Sequence, residues 1–201
     1  RLGYQITIYE KWEKSGGQLV QGVPINRLSR KVVANELASI EMFENITVKN
    51  GIDVGVDITF EELEEKHDVI FIGVGLSQGR FIPIGNYEHP AVHKGLEFLF
   101  DFNMREKWDL SETRSIVIGG GDVAFDVARS ALRCGSPEVQ LACLERDHLG
   151  EMPGSKDERD GGRREGVIFN DGWGPDEILI ENDKVIGLRV KKVKRVFDSE
   201  G

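Results

Sequence analysis

Along this chain the apolar positions switch between the period of a strand and that of a helix, in an order that occurs twice. Gly3 reads as the residue that closes a preceding helix. Ile6, Ile8 and Tyr9 then make a short strand ending at Glu10. Arg30 to Phe43 places Val33, Leu37 and Ile40 on one helical face. Thr59 and Glu62 have the spacing of a capping box and open a short helix through Leu63. Asp68 to Gly75, DVIFIGVG, is an unbroken apolar run of strand length, as in a strand buried on both faces of a parallel sheet.

The second pass is clearer. Pro83 to Leu110 predicts a connection and one helix, with Leu96, Leu99 and Phe100 on its apolar side. Ser115 to Gly121, SIVIGGG, is a strand running into a glycine turn. The next helix has Val123, Val127 and Ala131 inward and stops at Gly135. Glu138 to Leu144 is a further strand, and EILIENDKVIGLRV is a hairpin turning at Asn182 and Asp183. The fold class is therefore α/β, with Rossmann-like parallel sheets and a small antiparallel hairpin.

Composition narrows the chemistry. With 201 residues, 39% hydrophobic and 30% charged, the chain has room for one large or two small globular domains. Its 24 glycines cluster near 16–22, 73–79, 119–121, 161–166 and 172–174, where turns can approach a ligand. A net charge of −9 argues against nucleic acid as a partner. The late run Lys191, Lys192, Lys194 and Arg195 alternates with valines, as a solvated strand face does. Two cysteines, Cys134 and Cys143, stand outside any CxxC, which points to a reducing, cytoplasmic setting. No apolar run reaches the roughly 20 residues that span a bilayer.

The principal candidate site is Gly119-Gly120-Gly121-Asp122-Val123-Ala124. It follows a strand and opens a helix, the context that gives a GxGxxG/A match its meaning. Gly119 suits the tight turn, Gly121 the close approach of a pyrophosphate, and Ala124 close helix–strand packing. The helix start supplies free N–H groups and about half a positive charge. Glu145 and Arg146 end the following strand, where an adenosine ribose would lie. A carboxylate there accepts from the 2′-OH of NAD, whereas an arginine suits the 2′-phosphate of NADP. At about 5 Å, Glu145 would oppose that phosphate by on the order of 3 kcal/mol per unit charge at an effective dielectric near 20. The pair favours NADH on this reading; an ordinary strand-end ion pair is the other. Glu10 with Gly16 and Gly17 repeats the arrangement for a second adenine dinucleotide, whose phosphate loop would precede Arg1; alone, Glu10 is also consistent with a plain surface residue. Pro90 between His89 and His93 argues against a helical metal pair, and no P-loop, GxSxG elbow or Cys–His signature occurs.

Taken in order, YEKWEKSGGQLVQGVPINRL, DITFEEL, DVIFIGVG, IVIGGGDVAFDVARSALRCG, EMP and DGWGP resemble the glutamate synthase small-subunit family of pyridine nucleotide-disulfide oxidoreductase-like proteins, which includes the flavin half of dihydropyrimidine dehydrogenase. The resemblance runs from about Tyr4 to Val196. It implies a fragment of a longer protein: residues 1–84 as part of a FAD-binding domain, 85–110 as a connector, and 111–201 as part of an NAD(P)-binding domain. By resemblance Glu10 would touch the FAD ribose; Gly16, Gly17 and Gly22 would line the flavin side; Arg27 would stand near the flavin; and Gly73 and Gly75 would form a second FAD contact. Gly119, Gly120, Gly121, Asp122 and Ala124 would hold the nicotinamide dinucleotide. The implied chemistry is hydride transfer from NAD(P)H to FAD, with electrons passed to an iron–sulfur partner or domain; no catalytic side chain is named and no metal is expected in this chain. The alternative is a non-enzymatic module that binds the nicotinamide dinucleotide.

Departures from the family pattern are local. Ser29 stands where the family has Pro, Gly73-Val74-Gly75 replaces ATG, and Glu145-Arg146 replaces a basic pair, which puts NADP preference in doubt. Gly161-Gly162 should weaken any helix through DERDGGRREG by roughly 1 kcal/mol per glycine.

Overall fold

Two parallel strands, β1 (Ile6–Glu10) and β2 (Ile46–Asn50), pair in register from Ile6 opposite Ile46 to Glu10 opposite Asn50. The computed structural model describes residues 3–105 and 107–196. It divides into two compact units, one up to Leu76 and the other from Ser77. In the first, β1 leads through α1 (Gln18–Gln21) and α2 (Arg30–Glu41) to β2. The Arg30 guanidinium ties this connection together by donating to the carbonyls of Leu19, Val23 and Leu28 at 2.9–3.3 Å. α3 (Phe60–Lys66) begins with the expected capping box: Thr59 Oγ1 accepts from Glu62 N at 3.1 Å, and Glu62 Oε2 accepts from Thr59 N at 2.9 Å.

The run from Asp68 to Gly75 is not a strand here. Phe71 is 93% exposed and Val74 and Leu76 nearly as much. A strand exists only by pairing, and β1 and β2 form a sheet of two among the described residues. The apolar run thus has the composition of a buried strand without the ladder.

The second unit is built on the parallel sheet β3 (Ser115–Ile118), β4 (Val139–Cys143) and β5 (Ile168–Asp171), with β4 central. Val139, Leu141, Ala142 and Cys143 are all buried, as a central strand requires. α5 (Asp122–Arg133) connects β3 to β4 and packs on both, and α6 (Lys156–Glu165) connects β4 to β5. α4 (Gly95–Met104) lies beside α5, contributing Phe98 and Leu99 to the core. The antiparallel pair β6 (Trp173–Glu181) and β7 (Lys184–Lys192) turns at Asn182 and Asp183, both with positive φ (49° and 59°), the geometry of a two-residue primed turn. The α/β class with parallel sheets and one hairpin is as the sequence pattern indicates. No helix among the described residues is long and apolar enough to cross a membrane.

Two helices depart from expectation. In α5 the buried face is Ala124, Phe125, Ala128 and Ala131, while Val123 is 47% exposed. Val123 and Val127 border α4 at Gly95 instead. α6 forms despite Gly161 and Gly162, because both are buried against α5. A β-carbon at Gly161 would lie 3.1 Å from the Arg129 guanidinium carbon, and one at Gly162 would lie 3.2 Å from the Phe125 ring. The glycines let α6 approach closely enough for Arg129 to donate to Glu158 at 2.5 Å and Glu165 at 2.7 Å, with Arg133 on Glu165 at 2.6 Å. Tertiary contact outweighs the propensity cost.

The two arginines, Arg133 first, hold the Glu165 carboxyl down at about 2 against an ordinary 4.5. A depressed folded value stabilises fully above about pH 4.5, and that contribution is lost as pH falls through about 2. Glu165→Gln should therefore destabilise the second unit at pH 7 by on the order of 2 kcal/mol, a figure reduced for partial exposure. In thermal unfolding followed by circular dichroism, the gap from wild type should close as pH drops from about 4.5 to 2; a gap independent of pH would contradict the assignment.

Candidate dinucleotide-binding site

The glycine turn stands at the carboxyl end of β3 and opens α5. Gly119 has φ 133°, a region that excludes other residues, and donates to the Ala142 carbonyl at 2.9 Å. A β-carbon there would lie 3.4 Å from that of Ala124, so Ala124 keeps helix and turn close. Gly120 is buried; a β-carbon would lie 3.0 Å from Glu145 Oε2 and 3.3 Å from both Cys143 and Met152. Gly121 is different. Its backbone is extended (φ −90°, ψ 172°), and a β-carbon on it would meet nothing within 4 Å. The protein's own packing demands the first two glycines but not the third. Beyond Gly121 lies open space at a helix start whose first amides, Asp122 and Val123, have no acceptor inside the helix. That is a cradle for an anion.

The turn is held from behind by the segment after β4. Gly154 donates to the Gly120 carbonyl at 2.8 Å, and Ser155 N donates to Asp122 Oδ1 at 2.6 Å. Asp122 thus has a defined task within the fold. At the end of β4, Glu145 turns toward Gly120, while the Arg146 guanidinium is clamped by Glu151, with Nε to Oε2 at 3.0 Å and Nη2 to Oε1 at 2.9 Å. At the end of β5, Asp171 Oδ2 accepts from Asp147 N at 2.9 Å, and Gly172 N donates to the Glu145 carbonyl at 3.0 Å. Beneath them burial, then the nearby Glu145 and Asp171, push the Cys143 thiol up to about 12, so it is no nucleophile. The strand ends thus bring Gly119, Gly120, Gly121, Asp122, Ala124, Glu145 and Arg146 together. Sequence reasoning missed Glu151, Ser155 and Asp171; the one available signal was EMP, whose glutamate follows Arg146 by five positions.

In the first unit Glu10 ends β1 and accepts from Trp12 N at 3.0 Å. Ser15 donates to Asn50, the last residue of β2, at 2.7 Å, so Gly16 and Gly17 also stand at the carboxyl ends of the strands. Gly16 has φ 123° and is crowded, its β-carbon position lying 2.5 Å from Val20. Gly17 (φ 48°) faces open space. Gly22 ends α1, donating to the Gln18 carbonyl at 3.0 Å. Arg27 is exposed in a turn closed by its own N–H on Pro24. Gly73 and Gly75 lie in the uncovered apolar run, and β-carbons there would meet nothing within 4 Å. Glu10, Gly16 and Gly17 thus stand at the carboxyl end of this two-stranded sheet, whereas the 73–75 segment is not gathered into a sheet.

A scan against protein-family models returns no match. Curated relatives do match along nearly the whole chain. The NADP(+)-dependent formate dehydrogenase subunit beta of Moorella thermoacetica is 34% identical over 96% of this chain and 27% of its own length. The NAD-dependent dihydropyrimidine dehydrogenase subunit PreT of Escherichia coli K12 is 37% identical over 94% of this chain and 44% of its own. A putative glutamate synthase [NADPH] small chain of Cereibacter sphaeroides is 33% identical, with coverages of 96% and 48%. Homologues of the chain thus include a glutamate synthase small chain, a dihydropyrimidine dehydrogenase subunit and a formate dehydrogenase subunit. The chain spans less than half the length of these relatives. Among solved structures, the oxidoreductase FprA of Mycobacterium tuberculosis shares the fold (TM-score 0.69, 18% identity, 94% of this chain and 60% of that one). So does the thioredoxin reductase of T. acidophilum (0.59, 11% identity, 95% and 71%).

Gly154→Ala tests the support behind the turn. Its β-carbon would fall 2.5 Å from the Phe125 ring and 2.9 Å from the Gly120 carbonyl oxygen. Backbone must shift, and overpacking of this kind costs about 1–3 kcal/mol. The urea midpoint should drop accordingly, and an unchanged midpoint would mean that the segment does not bear on the turn.

Proposed function

We propose that the chain is part of a FAD-dependent NAD(P)H oxidoreductase and that the turn at Gly119–Gly121 holds the nicotinamide dinucleotide. The observation carrying this reading is the open space before Gly121, at a helix start and the end of a parallel strand. The Asp122 and Val123 amides would receive the pyrophosphate, and Glu145 would meet the adenosine ribose. Residues 111–201 would be the NAD(P) portion, 85–110 the connector, and 1–84 a contribution to FAD binding, with Glu10, Gly16, Gly17, Gly22, Arg27, Gly73 and Gly75 as its contacts. When bound, the cofactors supply hydride transfer from the nicotinamide C4 to the flavin N5. The side chains here bind and orient; no acid or base is needed for a hydride step, so none is assigned. An iron–sulfur subunit or domain would take the electrons onward, since two separate free cysteines do not make a four-thiolate site. The relatives' names support a nicotinamide cofactor and divide between NAD and NADP. The free thiols suit a reducing compartment, which we take to be the cytoplasm.

The uncovered run around Gly73 favours a second reading, a chain that binds the nicotinamide dinucleotide without turning over flavin. Reconstitution with FAD separates the two: flavin that bleaches under NADH or NADPH without air supports the oxidoreductase, and calorimetric NAD(P)H binding with no flavin bound supports the module.

Gly121→Val is a clean probe because neither its backbone angles nor its surroundings resist a side chain. Dinucleotide affinity should fall at least 100-fold, roughly the 3 kcal/mol of two charge-assisted hydrogen bonds. The thermal midpoint should hold within 2–3 °C, about 0.5 kcal/mol. Unchanged affinity would remove the site from this turn.

A further inference from the structure

Arg146 follows β4 at the position where, on the proposed reading, a 2′-phosphate of the dinucleotide would lie, and one edge of its fork is already filled. Its Nε and Nη2 donate to the two oxygens of Glu151, and its backbone N–H donates to Glu151 Oε2 at 3.1 Å. The return is closed from the other side, because Glu151 N donates to the Arg146 carbonyl at 3.2 Å across the short helical turn Asp147–Leu149. The aliphatic stem of Arg146 lies against Gly172, where a β-carbon would come within 3.1 Å of Cγ. The side chain is thus held along its stem and at the Nε/Nη2 edge of its guanidinium. Its neighbours are no freer: Arg159 pairs with Asp147 at 3.2 Å, and Arg163 also pairs with Asp147.

We infer that Glu151 determines cofactor specificity by standing in for a 2′-phosphate on Arg146, so that the site takes NADH and disfavours NADPH. This rests on the reading of the Gly119–Gly121 turn as a dinucleotide site and goes beyond it by naming the residue that chooses between the two cofactors. A carboxylate and a phosphate compete for the same planar pair of donors. To bind NADPH the protein must break this bidentate pair or take the phosphate on the Nη1 side of the same guanidinium, and either way Glu151 and Glu145 face added negative charge. NADH asks only for a carboxylate at its ribose hydroxyls, which Glu145 provides. The hydrogen bond from Arg146 draws the Glu151 carboxyl below the ordinary carboxylate range, so it stays ionised at neutral pH and keeps the fork filled.

Equilibrium binding of NADH and NADPH to the full chain, by calorimetry and without flavin turnover, tests this. The wild type should bind NADH at least tenfold more tightly than NADPH. Glu151→Gln should shift that ratio toward NADPH by about tenfold or more, equivalent to one charge-assisted hydrogen bond regained. The shift should vanish in the double variant Arg146→Ala/Glu151→Gln, because no guanidinium remains to release. A wild type that prefers NADPH, a ratio unmoved in Glu151→Gln, or a shift that survives without Arg146 overturns the inference alone. A chain that binds neither cofactor, or binds both equally well as Gly121→Val, overturns the site reading and takes this inference with it.

Discussion

One buried ring, Phe125, sets the spacing of the second unit of this chain, which carries the candidate site. It is fully buried on α5. Gly154 and Gly162 sit against it, and Phe169 of β5 packs its ring 5.4 Å away at a tilt. Through those contacts it fixes how near α6, the segment before α6, and β5 can come to α5. Because α5 begins at the glycine turn, the same ring fixes the backing of that turn. Interiors as dense as protein cores transmit such constraints over one or two side chains. The glycines around Phe125 thus serve shape rather than flexibility, while Gly121, just beyond them, is left with space.

How far the sequence discloses this depends on how local each signal is. The strand, turn and helix from Ser115 to Arg133 are legible because an apolar run, a glycine triplet and a helical period follow one another within a single stretch. The hairpin is legible because Asn182 and Asp183 tolerate positive φ. β2 and β5 are not: ITVKN and IFND are too short to show a period, and pairing with β1 and β4 makes them strands. α6 contradicts its own composition, since Gly161 and Gly162 are costly alone and are required once α5 is beside them. The inward face of α5 is misread because the helix is covered on two sides, with its valines toward α4 and its alanines and Phe125 toward the core. The run from Asp68 to Gly75 shows the reverse failure, an apolar pattern whose pairing partner is not among the described residues.

The candidate site divides in the same way. The identity and order of Gly119, Gly120, Gly121 and Glu145 can be read from spacing, because strand ends and helix starts fix where such residues fall. The state of Arg146 cannot. In sequence it is a cation beside a carboxylate, Glu145; in space it is bound to Glu151, brought round by a three-residue turn. Only the fold says which carboxylate occupies the fork.

That difference alters what charge means at this edge of the sheet. Counting residues from Glu145 to Arg163 gives a mixture of acids and bases from which either cofactor preference could be argued. Resolved into pairs, Arg146, Arg159 and Arg163 are each committed to a carboxylate, and the strand ends present Glu145 toward the turn. A paired guanidinium offers an incoming phosphate little field, since its partner cancels most of its charge beyond a few ångströms. On the proposed reading the selective element is the pairing itself, set by the same short turn and glycine contacts that back the Gly119–Gly121 turn, so geometry and electrostatics at this edge have a common structural origin.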